Sequence, residues 1–339
     1  MDRGEHYDRH VASQPAAIEA LLAGPEVPRL DPARPVVFSG IGTSLHACRV
    51  AAGWVRLLTG GAIRPAAIDA HDLALLEGVQ PADQVVVVSH RGNKHRPNEV
   101  LAKARAVGAP TITITGEGPA APEADVVLRT CPQEQARTHT VSYLTALTLL
   151  GRLVAAMLGD EGAPLDEALA ATPDALRRTL ELPLAEAAVD ALVASAPHPV
   201  LITATGLDVV TAQEAALKIK EGTYRWAEGM PTEFALHGTP AVFSASTVGY
   251  LIRPAGSDGG RTDELATLLA RLGASVLMAG DAAGDPLPFA PVPSLARPFV
   301  TVVPFQRLVS VAAVGLGASP DRTHLDEEPW KSAILAVEL

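Results

Sequence analysis

The sequence predicts an α/β protein with two similar units in tandem, each a parallel β-sheet sandwiched by helices. Short apolar, β-branched runs alternate with Ala- and Leu-rich segments of helix length, a pattern typical of strands buried by crossover helices. Hydrophobic residues make up 48% of the 339 residues, enough for more than one core. The order of strands in the first half also returns in the second half.

Four strands are predicted in the first half of the chain. Each apolar run is followed by Gly, Pro or polar residues and then by a helical pattern. The runs are Val36–Ser39, Val85–Ser89, Thr111–Thr115 and Val126–Arg129. This alternation favours parallel strands joined by helices.

The second half repeats the first at a nearly constant spacing. A shift of 164 residues aligns Pro35–Gly42 with Pro199–Gly206 and Val85–Ser89 with Gly249–Arg253, and a shift of 165 aligns Gly108–Thr115 with Gly273–Gly280. Three registers that agree within one residue indicate a duplicated α/β unit. The alternative is two unrelated doubly wound domains with similar spacing.

The two halves are joined by a helical connector. Ala and Leu recur at three- and four-residue spacing from Leu165 to about Ser195. We therefore expect a first domain with an N-terminal helix at 1–160, the connector at 161–195, a second domain at 196–320 and a tail at 321–339. Ligands of such sheets bind beyond the carboxyl ends of the strands.

Composition excludes several classes of partner. Lys and Arg number 27 against 38 Asp and Glu, and the net charge of −11 would repel nucleic acid. Only 4% of the residues are aromatic, too few for base-stacking platforms.

The longest apolar stretch, Ala146–Leu158, contains polar interruptions, so no membrane span is expected. Cys48 and Cys131 are too few for a disulfide framework, and the N-terminus lacks the apolar core of a secretion signal, which predicts a cytoplasmic protein.

A candidate anion site follows the first predicted strand. The run Gly40–Ala47 reads GIGTSLHA, and Gly42, Thr43 and Ser44 stand where a helix begins. Backbone N–H groups and the helix dipole favour a phosphate at such a point. The same turn can be an ordinary helix cap. It is not a dinucleotide fingerprint, because the third glycine of that motif is missing.

A longer motif points to a family. The segment Ala215–Pro240 reads AALKIKEGTYRWAEGMPTEFALHGTP. It closely resembles the ALKLKE, AE and GELKHGP signature of the sugar isomerase (SIS) family, in particular the isomerase module of glucosamine-6-phosphate synthase. Three further segments match the family and occur in the same order as in the family: Gly42–Ser44, Val302–Gln306 as a strand end, and Lys331-Ser332 before an apolar tail.

The resemblance implies two tandem SIS domains of flavodoxin-like, three-layer form. The first domain would hold a sugar phosphate, and the second domain and the tail would supply most catalytic groups. It also implies a homodimer with active sites near the subunit interface. We expect no cofactor.

The resemblance gives roles to three residues. Glu221 would move a proton between C1 and C2 of the open-chain sugar, and Lys331 would form a Schiff base with the ketose carbonyl. His237 would assist ring opening, in the family often from a neighbouring subunit. The side chains suit these roles, since a carboxylate can remove and return a proton, an imidazole transfers protons near neutral pH, and an amine condenses with a carbonyl.

Each of these residues also has a simpler interpretation. Glu221 can be a solvated carboxylate beside neighbouring lysines, and His237 can be a hydrogen-bonding turn residue. Lys331 can be an exposed tail lysine, because the stretch Asp321–Trp330 is longer than the usual approach to the lysine of the family.

The phosphate loop departs from the family pattern Ser-x-Ser-Gly-x-Thr. Here the loop reads SHRGNK, so Ser89 is kept, His90 follows it, and Arg91 and Lys94 replace hydroxyl residues. A guanidinium binds phosphate through paired hydrogen bonds and an ammonium adds a point charge. A phosphate, a sulfonate or a carboxylate would suit these donors, and a basic surface loop is the alternative.

A second segment matches the part of the family motif, E followed by AST, that lines the sugar. In the run Glu134–Thr140, Glu134 and Thr140 match, and His139 takes a serine-like position. Gln14-Pro15 resembles the opening E-Q-P motif, with Ser13 in place of the glutamate. We expect a related but altered sugar pocket.

Several activities remain compatible with the motifs. Because no cysteine precedes Cys48, we do not expect ammonia release from glutamine by the amidotransferase route. An aldose–ketose isomerase of anionic sugars is predicted, with an aminosugar-phosphate deaminase or deglycase as the alternative. A sugar-phosphate sensor is disfavoured by the intact Glu/His pair and by the lack of a helix-turn-helix segment. No metal-ligand spacing is present, so we expect no metal.

Overall fold

The computed structural model describes residues 4–337 and divides into two compact units. The first unit contains Ser13–Glu134 and Val141–Pro173. The second unit contains the chain up to Ala12, then Gln135–Thr140 and Asp174–Val337. Each unit is built around its own parallel sheet.

The first unit contains a five-stranded sheet in the order β2-β1-β3-β4-β5, with all pairs parallel. The strands are β1 (Val36–Gly40), β2 (Ala66–Asp69), β3 (Gln84–Val88), β4 (Thr111–Glu117) and β5 (Val126–Pro132). The helices of this part of the chain are α1 (Glu5–Leu22), α2 (Thr43–Leu58), α3 (Ala70–Asp72), which continues into a π-turn at Leu73–Glu77, α4 (His95–Ala106), α5 (Val141–Leu158) and α6 (Ala163–Glu181).

Burial explains why these runs are strands. Every residue of β1 and β3 is buried, as expected for central parallel strands covered on both faces. Helix α2 adds a buried apolar face that includes the fully buried Trp54. At the start of β4, the Asp125 carboxylate accepts hydrogen bonds from the backbone N–H and the hydroxyl of Thr111, at 2.7 and 2.8 Å.

The second unit repeats this arrangement. Its sheet has the order β10-β9-β8-β6-β7, again all parallel. The strands are β6 (Val200–Ala204), β7 (Ala227–Pro231), β8 (Val248–Ile252), β9 (Ser275–Gly280) and β10 (Leu287–Pro288). The helices are α7 (Glu186–Ala194), α8 (Asp208–Thr223), α9 (Thr232–Leu236), α10 (Arg261–Arg271), α11 (Arg297–Val300), α12 (Val303–Leu316) and α13 (Trp330–Leu335), with 3₁₀ turns at Gly159–Gly162, Thr239–Val242 and Ser294–Ala296.

The two sheets have the same topology, which confirms the predicted tandem α/β fold. Replacing β1 by β6, β2 by β7, β3 by β8, β4 by β9 and β5 by β10 converts the first strand order into the second. The three aligned segments of the sequence lie at β1 and β6, β3 and β8, and β4 and β9. Strands β2, β7 and β10 were not predicted, because β2 is only half-buried, β7 reads AEGMP and β10 has only two residues.

One local prediction was wrong. The run Val302–Gln306, expected at a strand end, forms the start of helix α12, where Pro304 fits because the first helical turn needs no N–H from it. The helical stretch expected from Leu165 to about Ser195 consists of two helices, α6 and α7. Pro183 lies in the break between them, and proline does not continue a helix.

Two helical segments are long and apolar enough to cross a membrane by length and composition alone. They are Val141–Glu181 and Ser294–Leu316. Most of the apolar stretch of each segment is buried inside the protein, as in core helices.

Candidate functional site

The turn after β1 has the geometry of an anion site. Strand β1 ends at Gly40 and helix α2 begins at Thr43, with Gly42 between them at φ +56°. Thr43 and Ser44 are half-buried in the first helical turn, which contains no acidic residue. The positive end of the α2 dipole therefore meets no carboxylate from its own first turn.

The turn after β3 lies beside it. Strands β1 and β3 are parallel neighbours, with Ser39 opposite Val87, so their carboxyl ends share one edge of the sheet. Ser89 follows β3 and is buried, and its carbonyl accepts a hydrogen bond from the Gly92 N–H at 2.9 Å. The structure thus brings the Gly42–Ser44 turn and the loop from Ser89 to Lys94 to the same edge.

Gly92 permits the tight form of this loop. Its φ is +67°, and a Cβ at this position would lie 2.8 Å from the Thr115 hydroxyl oxygen. Lys94 is the residue before α4, and Arg91 and Lys94 are half-buried. The neighbouring Arg96 donates a 2.6 Å hydrogen bond to Glu99 within α4. The hydrogen bonds from Arg96 and then Lys103 lower the pKa of Glu99.

His90 joins this loop to the ends of the next strands. Its carbonyl accepts hydrogen bonds from the Gly116 N–H at 2.9 Å and the Gln133 side-chain amide at 2.8 Å. Its ring Nε2 accepts a hydrogen bond from the Glu134 N–H at 3.1 Å. The His90 ring therefore fixes the path of the chain at Glu134.

Glu134 has a structural contact that the sequence did not reveal. Its side chain is buried, and Oε1 accepts a 2.8 Å hydrogen bond from the Ser142 N–H in the first turn of α5. A carboxylate at this point stabilises a helix N-terminus. His139 and Thr140 belong to the second unit, where the adjacent Thr138 N–H donates to the Pro320 carbonyl at 3.0 Å.

In the second unit, Glu221 is held on the last turn of α8. Lys218 Nζ lies 2.7 Å from Glu221 Oε2 and 3.4 Å from Glu214 Oε1. The side chains of Lys218 and Glu214 are 1% exposed, whereas that of Glu221 is 31% exposed. Spacings of three and four residues place all three on one face of the helix. A buried ammonium therefore orients a carboxylate that reaches solvent.

His237 follows α9 and has an exposed side chain. Its Nδ1 lies 3.0 Å from the Glu233 carbonyl and 3.2 Å from Glu233 Oε1. Glu233 also accepts hydrogen bonds from Arg261, at 2.8 and 3.1 Å, and these lower its pKa. The contacts described for His237 thus lie at α9, whereas those of Glu221 lie within α8.

Lys331 lies in α13 at the end of an ordered tail, and its side chain is exposed. Its N–H donates to the Glu327 carbonyl at 2.8 Å. The tail returns to the end of α8, where the His324 ring stacks on the Tyr224 ring. The contacts of Lys218 could have been predicted from the sequence, because Lys218 lies three residues from Glu221 and four from Glu214 on one helix. No local pattern indicates the contact of Tyr224 with His324.

Among residues 4–337, no group of three or more His, Cys, Asp or Glu side chains is arranged to hold a metal ion. The chemistry available to the site residues is that of a carboxylate, an imidazole, an amine and backbone donors.

Comparison of sequences supports the resemblance. The SIS domain family matches residues 29–157. The glutamine–fructose-6-phosphate aminotransferase (isomerizing) of Aeropyrum pernix is 31% identical over 224 residues, which are 63% of this chain and 36% of that protein. The enzyme of the same name from Pyrobaculum aerophilum is 26% identical over 344 residues, 93% of this chain and 55% of that protein. The chain thus spans about a third to a half of the length of these relatives.

Solved structures share the fold over almost the whole chain. The C-terminal domain of glucosamine-fructose-6-phosphate aminotransferase from Francisella tularensis superposes with a TM-score of 0.80 at 18% identity, covering 93% of this chain and 97% of that domain. Glucosamine-6-phosphate deaminase from Thermotoga maritima superposes with a TM-score of 0.75 at 20% identity, covering 95% of this chain and 97% of that chain. Tagatose-6-phosphate ketose/aldose isomerase from Escherichia coli superposes with a TM-score of 0.73 at 16% identity, covering 96% of this chain and 97% of that chain. The motifs, the repeated parallel sheets and these similarities together show a SIS domain at residues 29–157 and the same strand order in the second unit.

Proposed function

We propose that the protein is an aldose–ketose isomerase of an anionic sugar, a hexose or hexosamine phosphate in the first instance. The observation that carries the proposal is the Glu221 carboxylate, held 2.7 Å from a buried lysine and yet partly exposed. A base that moves a proton between two adjacent carbons needs a fixed position and access to the substrate. The contact with Lys218 and the 31% exposure of the Glu221 side chain support this role.

The first sheet would supply the anion site. Backbone N–H groups at the start of α2 and donors of the loop from Ser89 to Lys94 share one edge of that sheet. Gly42, Thr43 and Ser44 would contact the anion from one side. Arg91 and Lys94 would add positive charge from the other, which suits a phosphate or a sulfonate.

Three side chains of the second unit would carry out the reaction. His237 would transfer protons between the ring oxygen and the anomeric hydroxyl, which opens the ring. Glu221 would then take the proton from C2 and return it to C1. Lys331 would condense with the ketose carbonyl with loss of water, and hydrolysis of this imine would return the amine and the ketose.

The main alternative is an aminosugar-phosphate deaminase or deglycase, in which the same proton transfer precedes loss of an amine. A deaminase occurs among the structures that share the fold. A sensor that binds the sugar phosphate without turnover is the third possibility. Release of ammonia identifies the deaminase, and binding without C2 exchange identifies the sensor.

We also propose a cytoplasmic homodimer. Both cysteines, Cys48 and Cys131, are buried and unbridged, as is usual in reducing compartments. Large apolar side chains are exposed on the elements around His237, among them Phe234 at 66% and Val242 at 75%. Such a surface is typical of a subunit interface, and an interface there would bring His237 to the partner subunit.

The test follows the hydrogen that moves between C1 and C2 of the sugar. The protein is incubated in D₂O with glucose 6-phosphate, fructose 6-phosphate, tagatose 6-phosphate or glucosamine 6-phosphate. Deuterium at C2 of an aldose, deuterium at C1 of a ketose and free ammonia are measured. We expect exchange with at least one ketose or aldose phosphate, and its loss in Glu221→Gln with ligand affinity within about tenfold. Glu186→Gln, an exposed glutamate on α7, is the matched control. Equal exchange in Glu221→Gln and the parent would refute the assignment of Glu221.

A further inference from the structure

The end of α8 has an unusual backbone conformation. Tyr224, three residues after Glu221, closes the helix at φ +59°, and its N–H donates to the Lys220 carbonyl at 3.2 Å. Glycine is the usual residue at this position, because a side chain is disfavoured in the left-handed region. A large aromatic residue held there indicates that its side chain has contacts that offset the strain.

The phenolic oxygen of Tyr224 binds the backbone of the tail. It accepts hydrogen bonds from the N–H groups of Ser319 and His324, both at 3.3 Å, and lies 3.4 Å from the Ser319 carbonyl. Burial raises the pKa of Tyr224, so its hydroxyl stays protonated near neutral pH. One phenol therefore contacts two points of the tail, five residues apart.

The rings extend this contact to the tail helix. The His324 ring lies between two aromatic rings, with centroids 3.6 Å from Tyr224 and 4.3 Å from Trp330. The interplanar angles are 26° and 13°, so all three rings are stacked. His324 also has a left-handed backbone, at φ +61°, and its Nδ1 lies 3.0 Å from Glu327 Oε2. We call Tyr224, His324 and Trp330 the aromatic stack.

The start of the tail is fixed as well. The Asp321 carboxylate accepts hydrogen bonds from the N–H groups of His6 and Tyr7 in α1, at 3.2 and 2.8 Å. The Asp321 carbonyl accepts one from the Arg137 N–H at 3.2 Å. The tail is therefore held at two points, by α1 at Asp321 and by the end of α8 at the aromatic stack. These contacts fix the position of the short helix α13.

We propose that the aromatic stack positions Lys331 for the reaction by fixing the tail to the same end of α8 that carries Glu221. Trp330 directly precedes Lys331, and Tyr224 lies less than one helical turn beyond Glu221. The stack thus links the proton-transferring carboxylate to the carbonyl-binding amine. Tyr224 and His324 are positioning residues, since they act through Lys331. This inference rests on the proposed function.

The first experiment measures the tail without reference to activity. Hydrogen exchange of the backbone is followed by mass spectrometry in peptides that cover residues 317–337. In Tyr224→Phe the ring remains and the phenolic oxygen is lost, and in His324→Ala the stack is interrupted. We expect faster exchange in both variants and unchanged exchange in His71→Ala, an exposed histidine of the first unit. Unchanged exchange in both stack variants would overturn the inference.

The second experiment measures turnover of the sugar phosphate that exchanges its C2 hydrogen. We expect His324→Ala to lower kcat at least tenfold with KM within about twofold, because the anion-binding turns are intact. His324→Phe, which keeps a flat ring, should recover kcat to within about threefold of the parent. In a Lys331→Ala background, His324→Ala should cause less than a twofold further loss, since both changes remove the same contribution.

The outcomes separate the two proposals. A parent protein without C2 exchange, or Glu221→Gln with normal exchange, refutes the proposed function and with it the inference. The inference alone is refuted if the parent exchanges normally, Glu221→Gln does not, and the losses of kcat from His324→Ala and Lys331→Ala multiply in the double variant. A loosened tail with unchanged kcat also refutes it.

Discussion

Lys218 Nζ lies between Glu221 and Glu214, 2.7 Å from the first carboxylate and 3.4 Å from the second. The buried lysine fixes the partly exposed Glu221 side chain, because it is a partner that cannot move into solvent. Glu214 contributes a second negative charge, so the buried ammonium is paired. The arrangement predicts a strong effect of removing the lysine.

Lys218→Met should destabilise the protein by about 3–5 kcal/mol, since it leaves the Glu214 carboxylate buried without its counter-charge. Urea unfolding followed by circular dichroism measures the change. The double variant Glu214→Gln/Lys218→Met should recover part of this loss, because it removes both buried charges of the pair. A double variant that is less stable than Lys218→Met would contradict the pairing.

Mixed dimers test whether His237 acts across the subunit interface. Glu221→Gln and His237→Ala are each expected to be inactive on a cyclic sugar phosphate. Subunits of the two variants, mixed at equal amounts after reversible dissociation, should regain about one quarter of the parent activity, because half of the dimers contain one intact pair. Mixtures without activity, despite confirmed heterodimers, would assign His237 to the site of its own subunit.

Arg91→Ala should weaken binding of the sugar phosphate by roughly 1.5 to 3 kcal/mol, the range for a charge-assisted hydrogen bond. Isothermal titration calorimetry with fructose 6-phosphate, or with inorganic phosphate, measures the affinity. Arg96→Ala is the matched control, because Arg96 is paired with Glu99, and we expect its affinity within about twofold of the parent. Equal losses in both variants would indicate a general effect of net charge.

The stability of the first unit should fall at acid pH through Asp125. Hydrogen bonds from the Thr111 hydroxyl, and next from its N–H, hold the pKa of Asp125 below its usual range. A carboxyl with a lowered pKa stabilises the fold above its unfolded pKa, near 3.9, and this contribution is lost as the pH falls through the folded pKa. The difference in unfolding free energy between the parent and Asp125→Asn should be constant above about pH 5 and shrink below about pH 4.

Urea unfolding at several pH values from 7 to 3 measures this difference. The control is Glu167→Gln, which removes an exposed carboxylate from α6. A difference that stays constant down to pH 3 would show that the Asp125 carboxylate is not held by Thr111 in solution.

Much of the fold was predictable because its signals are local. Strands β1, β3, β4 and β5 are apolar runs that end in turn residues, and their predicted bounds agree with the structure to within three residues. The repeat of three segments predicted the duplication that the two strand orders confirm. The first sheet also joins the two predicted anion-binding turns, since neighbouring parallel strands end at one edge.

Other features depend on contacts between distant parts of the chain. The run Val302–Gln306 is apolar and β-branched enough for a strand, yet it forms a helix that buries its residues within the second unit. The local pattern of this run fits two structures, and packing selects one. The Glu134 carboxylate also binds the start of α5, a contact that its resemblance to a sugar-lining residue did not predict.

The sequence by itself determined the fold class, the duplication and the types of side chain available for chemistry, because periodicity, turn residues and motifs act over a few neighbouring positions. Only the tertiary structure decided which of these side chains are held in place. Lys218 became a buried partner of Glu221 through the packing of α8, and Tyr224 meets His324 across 100 residues of chain. The contact between Tyr224 and His324 arises from the folding of the whole unit, and no local pattern encodes it.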